Sequence, residues 1–262
     1  MQTNPVVIVT GATTGIGRAT AIEFARSGAR VVLVARTVAP LHELAAQLVK
    51  EGHAALACPA DVTLPDTIRQ LVERTIEAHG QIDVLVNNAG ITAYGPFWEI
   101  EPATFDRVME TNFLGAVRCT RAVLPHMIAR RAGRIVNISS PAGKRGIPGV
   151  SAYSASKFAL NGWSEALRVE LRPYRIKVVL VLPDQTESEL YQRAPVTVSA
   201  GGIKDLILRS PRDKADKVAR HIFSACRRGQ LERYTRWRSR LLIRAQQISP
   251  AFVDWVLARL VK

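Results

Sequence analysis

The sequence predicts an α/β domain built around a single parallel sheet, and two observations support that fold class. Short runs rich in β-branched residues alternate along the chain with longer segments of helical period, as in repeated βαβ units. Most of these runs are apolar throughout, which is typical of strands covered by helices on both faces. A chain of 262 residues, 47% of them hydrophobic, can bury one sizeable core. We therefore expect one domain over residues 1–235, continued by a helical tail over residues 236–262.

About seven strands are predicted, at residues 6–10, 30–35, 54–57, 82–87, 134–139, 177–182 and 231–235. Helices are predicted between them, among others at residues 15–27, 67–79, 105–130 and 153–171. Right-handed crossovers turn this order into a doubly wound, Rossmann-type sheet, with its ligand crevice beyond the carboxyl ends of the strands. Residues 184–212 contain prolines and glycines and interrupt the alternation of strands and helices. We expect them to form a long loop that shapes the substrate pocket.

The composition argues against membrane-spanning, secreted and metal-binding proteins. No run reaches about 18 consecutive apolar residues, and the chain passes from Met1 through Pro5 into a strand-like run, so we expect neither a membrane span nor a signal peptide. The three cysteines (Cys58, Cys119 and Cys226) are widely spaced and the five histidines are scattered, which disfavours a disulfide framework or a metal site. A cytoplasmic location fits these features best.

The net charge of +14 is concentrated near the C-terminus. Residues 227–262 contain nine basic and two acidic residues, a net charge of +7, which is half of the excess. Apolar residues recur there at helical spacing between arginines, and Ser249-Pro250 is typical of an N-cap and a first helical turn. The first stretch contains Trp237, Leu241, Leu242, Ala245 and Ile248, and the second places Phe252, Val253, Val256, Leu257 and Leu260 on one face.

Two interpretations of this tail stay open. A basic amphipathic helix with tryptophan can lie in a membrane interface, so peripheral contact with the inner face of a membrane is one of them. Packing on its own domain or on a partner subunit is the other, and we expect a homodimer or homotetramer. The basic residues do not surround a recognisable binding module, so we expect no nucleic acid partner.

A glycine-rich turn follows the first predicted strand. It reads Thr10-Gly11-Ala12-Thr13-Thr14-Gly15-Ile16-Gly17 and leads into a predicted helix. Glycines permit a tight turn and a close backbone approach to a pyrophosphate, which the free N–H groups and dipole of the helix N-terminus stabilise. A bare motif of this kind is equally compatible with an ordinary strand-turn-helix. Its place at the first strand of a βαβ series favours dinucleotide binding.

The end of the second predicted strand indicates which dinucleotide is bound. An acidic residue there binds the ribose 2′-hydroxyl of NAD(H), whereas a basic one accommodates the 2′-phosphate of NADP(H). The chain has Ala35-Arg36-Thr37, with a guanidinium able to bind a phosphate through two hydrogen bonds. We therefore predict NADP(H), the alternative being that Arg36 is a solvated charge at a strand end.

Tyr153 and Lys157 form the candidate proton-transfer pair. Their spacing places a phenol and an ammonium group on one face of a helix, although an arbitrary pair of this kind is usually a surface feature. Ser140 strengthens the case because it follows a predicted strand, where an open α/β sheet presents its ligands. Ketone reduction by hydride leaves an alkoxide that must receive a proton, which a tyrosine can donate. A cation about 4 Å away stabilises the phenolate by roughly 4 kcal/mol, and Ser140 would orient the substrate oxygen.

These residues together resemble the short-chain dehydrogenase/reductase family over nearly the whole chain. The matching positions are the run from Thr10 to Gly17, Asp61-Val62, Asn87-Asn88-Ala89-Gly90, Asn112, Ser140, Tyr153 and Lys157. The resemblance implies that Asp61 and Val62 contact adenine, and that Asn88, Ala89 and Gly90 support the cofactor and the central strand. It also implies that Asn112 holds a water in a proton relay through Lys157, which itself binds the nicotinamide ribose.

One departure from the family lies after the sixth strand. Family members usually carry Pro-Gly there, then an apolar residue and a threonine that meet the nicotinamide carboxamide. This chain reads Pro183-Asp184-Gln185-Thr186-Glu187-Ser188, so Asp184 replaces the glycine and Ser188 falls where threonine is expected. We expect Pro183, Thr186 and Ser188 to contact the cofactor. Aspartate destabilises the backbone if the position needs a positive φ. Its carboxylate either recognises a polar substrate group or has no functional role.

The sequence therefore predicts an NADP(H)-dependent oxidoreductase that interconverts a moderately apolar ketone or aldehyde and an alcohol. The alternative is a dinucleotide-binding protein that has lost hydride transfer and serves as a membrane-surface or protein-interaction module. Asp184 and the basic tail favour the alternative, and the tail also resembles that of the hydroxysteroid dehydrogenase branch, where similar segments make dimer and membrane contacts. Ser140, Tyr153 and Lys157 favour the enzyme.

Overall fold

The computed structural model describes residues 4–187, 194–197 and 212–260. Its strands are β1 Val6–Thr10, β2 Arg30–Ala35, β3 Ala55–Pro59, β4 Val84–Asn87, β5 Gly133–Ile138, β6 Ile176–Leu182 and β7 Glu232–Tyr234. They form one parallel sheet in the order β3-β2-β1-β4-β5-β6-β7. From β1 the chain runs outward through β2 to β3, crosses back to β4 on the other side of β1, and then runs outward to β7. This order confirms the predicted doubly wound sheet.

Helices connect and cover the strands. They are α1 Gly15–Arg26, α2 Val38–Lys50, α3 Pro65–His79, α4 Pro102–Met109, α5 Gly115–Arg130, α6 Ser151–Glu170, α7 Ala215–Arg228, α8 Trp237–Ile248 and α9 Pro250–Leu260. The predictions for α1, α3 and α6 each place both ends within two residues of the observed bounds.

The predicted helix over residues 105–130 is confirmed as a helical segment that ends at Arg130, although its start and one internal turn differ from the prediction. The helix begins earlier, at Pro102, and a π-helical turn at Glu110–Leu114 separates α4 from α5. A single widened turn hardly disturbs the spacing of apolar residues, so the sequence pattern did not reveal it. Such turns are frequent at functional sites, and this one contains Asn112.

The core has two layers, one on each face of the sheet. On one face Val7 packs in a cluster with Phe24 of α1 and Ile222 of α7, and on the other Ile8 packs in a cluster with Leu71 of α3. All five residues of β1 are buried, so successive side chains serve opposite layers. This arrangement explains why the strands are apolar throughout.

A series of hydrogen-bonded polar side chains crosses the core near the carboxyl ends of β4 and β5. Asn87 and Asn137 lie opposite each other in the parallel register, and the Asn87 amide donates to the Asn137 side-chain oxygen at 2.9 Å. The Asn137 amide in turn donates to the Ser164 hydroxyl of α6 at 2.8 Å. A buried amide without a hydrogen bond destabilises the fold, so these hydrogen bonds favour one register of β4, β5 and α6 over its alternatives.

The tail forms α8 and α9, joined at Ser249. The Ser249 hydroxyl accepts a hydrogen bond from the N–H of Phe252 at 3.4 Å and Pro250 is the first helical residue, as the N-cap prediction requires. The predicted apolar face of α9 is confirmed in part, because Val253 is buried and Val256 and Leu257 are half-buried, but it is wrong for Phe252, which is 58% exposed. None of the helices in the described ranges is both long and apolar enough to cross a membrane.

Candidate active site

The glycine-rich turn between β1 and α1 approaches neighbouring backbone closely. Gly11 and Gly15 have positive φ values of 66° and 50°, which side chains other than glycine adopt at a cost. A Cβ atom on Gly17 would lie 2.0 Å from the Gly11 carbonyl oxygen, so only glycine fits there. The turn leads into α1 at Gly15, where free N–H groups stabilise an anion such as a pyrophosphate.

Asn88 and Thr10 fasten this turn to the end of β4. The Asn88 side-chain amide donates to the carbonyl oxygens of Thr10 at 2.9 Å and Gly11 at 3.3 Å. The Thr10 hydroxyl accepts hydrogen bonds from the backbone N–H groups of Asn88 and Ala89, each at 3.0 Å. The support of the cofactor loop that the family resemblance implies for Asn88 thus has a direct structural basis.

Arg36 follows β2, and Asp61 and Val62 follow the neighbouring strand β3. The Arg36 side chain is 65% exposed and its guanidinium lies 3.7 Å from the Asp61 carboxylate. Asp61 also accepts hydrogen bonds from the backbone N–H and the hydroxyl of Thr63, at 2.9 and 2.8 Å. Val62 packs against Gly115, where an added Cβ would come within 2.8 Å of it. Gly115 was not among the predicted site residues, because its role depends on a contact far along the chain.

A cavity of about 450 Å³ runs along the carboxyl edge of the sheet. Its walls contain the predicted residues Gly11, Thr13, Thr14, Gly15, Ile16, Gly17, Arg36, Asp61, Val62, Asn88, Ala89, Gly90, Tyr153, Lys157, Pro183 and Thr186. Ser188 lies outside the described residues. The fold therefore gathers segments separated by more than a hundred residues around one crevice, and the glycine turn, the strand ends and the cavity together suit a dinucleotide.

Lys157 lies beside Tyr153 on the wall of this cavity. Its ammonium nitrogen is 5.5 Å from the centre of the Tyr153 ring and donates to the Ile138 carbonyl oxygen at 2.8 Å. Lys157 is buried, with 4% of its surface exposed, and this burial lowers the pKa of its ammonium group to about 8. The pair is thus close enough for the positive charge to act on a phenolate.

Asn112 holds the segment that carries Tyr153. Its side-chain oxygen accepts from the Ile91 N–H at 2.8 Å, and its amide donates to the Ile91 carbonyl at 2.9 Å and to the Ser156 hydroxyl at 3.0 Å. Ser156 then donates to the carbonyl oxygen of Tyr153 at 2.7 Å. Both amide hydrogens of Asn112 are used in these bonds, so neither is available to a water in the expected relay.

Ser140 follows β5 and is half-buried. Its hydroxyl accepts a hydrogen bond from the Ala142 N–H at 3.2 Å. The adjacent Ser139, which was not predicted, contributes to the cavity wall and donates to the Asn161 side chain at 2.5 Å. Asn161 in turn donates to the Gly143 carbonyl at 2.9 Å, which ties the loop after β5 to α6.

Asp184 has structural partners in the tail. Its backbone N–H donates to the Thr235 hydroxyl at 3.0 Å, and its carboxylate accepts a hydrogen bond from the Ser239 hydroxyl of α8 at 2.5 Å. Asp184 does not have a positive φ, so replacement of the usual glycine causes no backbone strain here. Burial raises the pKa of the Asp184 carboxyl, although the Ser239 hydrogen bond opposes this.

Asp213 completes the connection between this loop and the tail. Its carboxylate accepts two hydrogen bonds from Arg236, at 2.9 and 3.2 Å, and one from Lys217 at 3.1 Å. Its backbone N–H donates to the Gln185 carbonyl at 2.8 Å. Burial raises the pKa of Asp213, but the bonds from Arg236 and Lys217 outweigh it, so the pKa lies below its usual value.

No cysteine or histidine of the described residues lines the cavity. Cys58, Cys119 and Cys226 are free and buried, and burial raises the pKa of both Cys119 and Cys226 to about 12. In the described parts of the chain, no three His, Cys, Asp or Glu side chains cluster in a way that could hold a metal ion.

Solved structures of other proteins share this architecture. A short chain dehydrogenase/reductase from Burkholderia phymatum in complex with NAD superposes with a TM-score of 0.89 at 26% identity, over 94% of this chain and 95% of that chain. A short-chain dehydrogenase from Sphingobium yanoikuyae in complex with NADPH superposes with a TM-score of 0.78 at 33% identity, over 88% of this chain and 87% of that chain.

Sequence comparison finds relatives of the same kind. The chain is 39% identical over 187 residues to bovine 3-ketodihydrosphingosine reductase, which covers 70% of this chain but only 56% of the length of that relative. It is 34% identical over 257 residues to the ketoacyl reductase HetN of Nostoc, covering 96% of this chain and 88% of HetN. A family model described as short chain dehydrogenase matches residues 5–197. The chain thus belongs to the short-chain dehydrogenase/reductase family of oxidoreductases, which bind a nicotinamide dinucleotide.

Proposed function

We propose that the protein is an NADP(H)-dependent reductase of moderately apolar ketones or aldehydes, which works in reverse as an alcohol dehydrogenase. The observation that carries the proposal is the position of the Lys157 ammonium, 5.5 Å from the centre of the Tyr153 ring, in a cavity whose other end is the glycine-rich turn. This combination supports the proposal, because a phenol, a neighbouring cation and a turn suited to a pyrophosphate line one crevice.

Tyr153 is the proton donor in this proposal. Its hydroxyl donates a hydrogen bond to the substrate carbonyl oxygen and transfers its proton as that oxygen becomes an alkoxide. NADPH would supply the hydride that reduces the carbonyl carbon. Ser140 would donate a hydrogen bond to the same oxygen, since its hydroxyl oxygen accepts from the Ala142 N–H and this bond does not use the hydroxyl hydrogen. In alcohol oxidation the phenolate of Tyr153 accepts the proton instead.

Lys157 stabilises the phenolate that remains after proton transfer. One of its three N–H donors is bound to the Ile138 carbonyl, which fixes the ammonium group. The other two donors would face a ribose hydroxyl of the cofactor and the Tyr153 phenolate. The charge acts strongly because the group is buried, where the effective dielectric is lower than in water. Asn112 contributes by holding Ser156 and hence the turn of α6 that carries Tyr153.

Arg36 supports NADP(H) over NAD(H). It lies at the end of β2 on the cavity wall, with a largely exposed guanidinium that a 2′-phosphate could reach. The Asp61 carboxylate at 3.7 Å is a weak competitor, since exposed ion pairs contribute little to stability. A phosphate can form two short, charge-assisted hydrogen bonds with the same group.

The cavity walls support an apolar substrate. Ile91, Val108, Ala194 and Pro195 contribute to them, and the Tyr94 N–H donates to the Pro195 carbonyl at 2.9 Å, which joins the loop after β4 to residues 194–197. Two relatives are named as a 3-ketodihydrosphingosine reductase and a ketoacyl reductase, and both names describe reduction of a keto compound. These features favour ketone reduction as the direction to test first.

The experiment is a panel of apolar ketones, aldehydes and alcohols screened by the absorbance of NADPH, with the same panel repeated with NADH. We expect at least one ketone to be reduced, faster with NADPH than with NADH. A folded protein that binds NADPH but reduces nothing in a broad panel would contradict the proposal and favour the alternative of a dinucleotide-binding module without hydride transfer.

A further inference from the structure

We propose that the outward face of α8 and α9 binds the surface of a bilayer that contains anionic lipid. We call this face the tail surface and define it by its exposed apolar residues, which are Trp237, Leu241, Ile248, Phe252 and Trp255. The proposal concerns binding alone and does not rest on the proposed enzymatic function.

The exposed apolar residues of α8 do not hold the helix to the domain. Spacings of four and seven residues place Trp237, Leu241 and Ile248 on one face, and these side chains are 67%, 51% and 86% exposed. The opposite face makes the contacts: Ile243 is buried and Ser239 donates to Asp184. Since α8 is anchored by one face, the apolar stripe on the other is available to a partner.

Gln246 and α9 strengthen the anchoring. The Gln246 side-chain oxygen accepts a hydrogen bond from Arg145 at 2.8 Å, and Arg145 also pairs with Asp254 of α9. Val253 is buried, which fixes the inward face of α9. Phe252 and Trp255 stack on the outward face, with their ring centres 6.0 Å apart and their side chains more than half exposed. Both helices therefore present aromatic residues away from the domain.

Arginines surround the apolar residues. On α8, Arg238 lies on one side of the stripe and Arg240 and Arg244 lie on the other, as the helical period requires. Within the described residues none of these three, nor Arg259, has a carboxylate at ion-pair distance. Residues 236–260 contain five arginines and one aspartate, a net charge of +4. This surface is complementary to anionic headgroups.

Tryptophan and arginine side chains are paired on the tail surface, and both residue types are favoured in the interfacial zone of a bilayer. The Arg259 guanidinium lies 3.5 Å from the centre of the Trp255 ring, and that of Arg238 lies 5.7 Å from the Trp237 ring. An amphipathic helix of this kind lies in the plane of the interface, with its apolar face among the lipid headgroups and chains. No membrane-spanning segment is needed for this mode of binding.

A second copy of the chain is a less suitable partner for the tail surface. A twofold interface places the same patch on both subunits, so the arginines of one copy would face the arginines of the other. Like charges brought together in this way oppose association. An anionic bilayer instead satisfies the arginines and the aromatic residues at the same time.

The experiment compares binding of the full chain to vesicles of phosphatidylcholine alone and to vesicles in which a third of the lipid is phosphatidylserine. We expect strong binding only to the second kind, weakened by added salt. Since a basic residue near an anionic surface contributes about fivefold in affinity, Arg240→Gln with Arg244→Gln should lower binding roughly 30-fold. The matched control, Arg26→Gln with Lys50→Gln, removes the same charge from exposed positions elsewhere and should bind like the wild type.

A further double variant tests the apolar contribution. Trp237→Ser with Ile248→Ser should weaken vesicle binding while thermal unfolding stays unchanged, because neither side chain is buried. Equal loss in the tail variant and in the control variant would overturn the proposal, since binding would then follow net charge alone. So would absence of vesicle binding together with a dimer that Trp237→Ser dissociates, which would assign the tail surface to a second copy.

Discussion

The hydroxyl of Ser239 in the tail donates a hydrogen bond to the carboxylate of Asp184, the residue that replaces the family's glycine after β6. Asp184 lies between Pro183 and Thr186 in a loop that borders the cofactor cavity, and the Thr186 hydroxyl donates to the Asp184 carbonyl at 2.8 Å. The aspartate therefore has a side chain that binds α8, which a glycine at this position would lack. The tail is therefore bonded to one wall of the cavity.

Ser239→Ala tests this attachment. Loss of the hydrogen bond to a half-buried carboxylate should loosen the loop and raise the Kd for NADPH by about three- to tenfold, with a smaller effect on kcat. Fluorescence titration with NADPH measures the Kd, and Ser239→Thr, which keeps the hydroxyl, should restore it. An unchanged Kd in Ser239→Ala would show that α8 does not position the loop.

Arg36→Ala tests the choice of dinucleotide. Removal of a guanidinium that binds the 2′-phosphate should raise the Kd for NADPH by about 10- to 100-fold and leave the Kd for NADH nearly unchanged. Arg26→Ala, at an exposed position near the end of α1, is the matched control and should affect neither. Equal losses for both dinucleotides would contradict a specific contact with the phosphate.

Gly17→Ala tests the close approach in the glycine-rich turn. The added methyl group would overlap the Gly11 carbonyl oxygen, so the turn must open, and NADPH binding should fall by about 100-fold or more. Gly162→Ala is the control within α6, where an added Cβ meets no atom within 4 Å. That variant should raise the free energy of unfolding by about 0.5–1 kcal/mol, because alanine favours helix. Normal NADPH binding by Gly17→Ala would refute the described packing.

The lowered pKa of Lys157 predicts a pH dependence. The ammonium group is charged below about pH 8 and loses its charge above it. Because only the charged form stabilises the Tyr153 phenolate, kcat/KM for ketone reduction should fall as the pH rises through about 8. A profile that stays flat from about pH 7 to 10 would contradict this role for the charge.

The same group should affect stability with the opposite trend. Unfolded lysine keeps its proton up to about pH 10.4, so between the folded and unfolded pKa values the unfolded state binds more protons. The free energy of unfolding of the wild type, measured relative to Lys157→Met, should therefore increase from pH 8 upward as the buried charge is lost. A decrease over that range would show that the lysine is not desolvated as described.

The features that could be predicted from the sequence are those set by local pattern. The bounds of β1 and β2 follow from short apolar runs, and the glycine-rich turn and the Tyr153–Lys157 spacing are fixed within a few residues of chain. The π-helical turn at Asn112 escaped prediction because one widened turn hardly changes the apolar spacing, and the bonds of Asn112 to Ile91 join it to a segment that the local pattern does not reveal. Local helical spacing likewise could not tell which side of a helix meets the domain, so Val253 and Phe252 were placed on one face.

Long-range pairs explain the other omissions. The bond from Ser239 to Asp184 joins residues 55 apart, and that from Asn112 to Ser156 joins residues 44 apart. Serine and asparagine on helices are ordinary surface residues in a sequence pattern, and only the folded structure shows that Ser156, Asn161 and Ser164 are buried. Their common position on the inward face of α6 was the one available signal.

The central claim is that Tyr153 delivers the proton, and Tyr153→Phe tests it most directly. The measurement is kcat/KM for the best ketone of the panel together with the Kd for NADPH, using Tyr174→Phe, at a half-exposed position outside the cavity, as control. We predict that Tyr153→Phe lowers kcat/KM by about 100-fold or more with little change in the Kd, and that Tyr174→Phe changes neither. Reduction of the ketone by Tyr153→Phe at the rate of the wild type would contradict the mechanism.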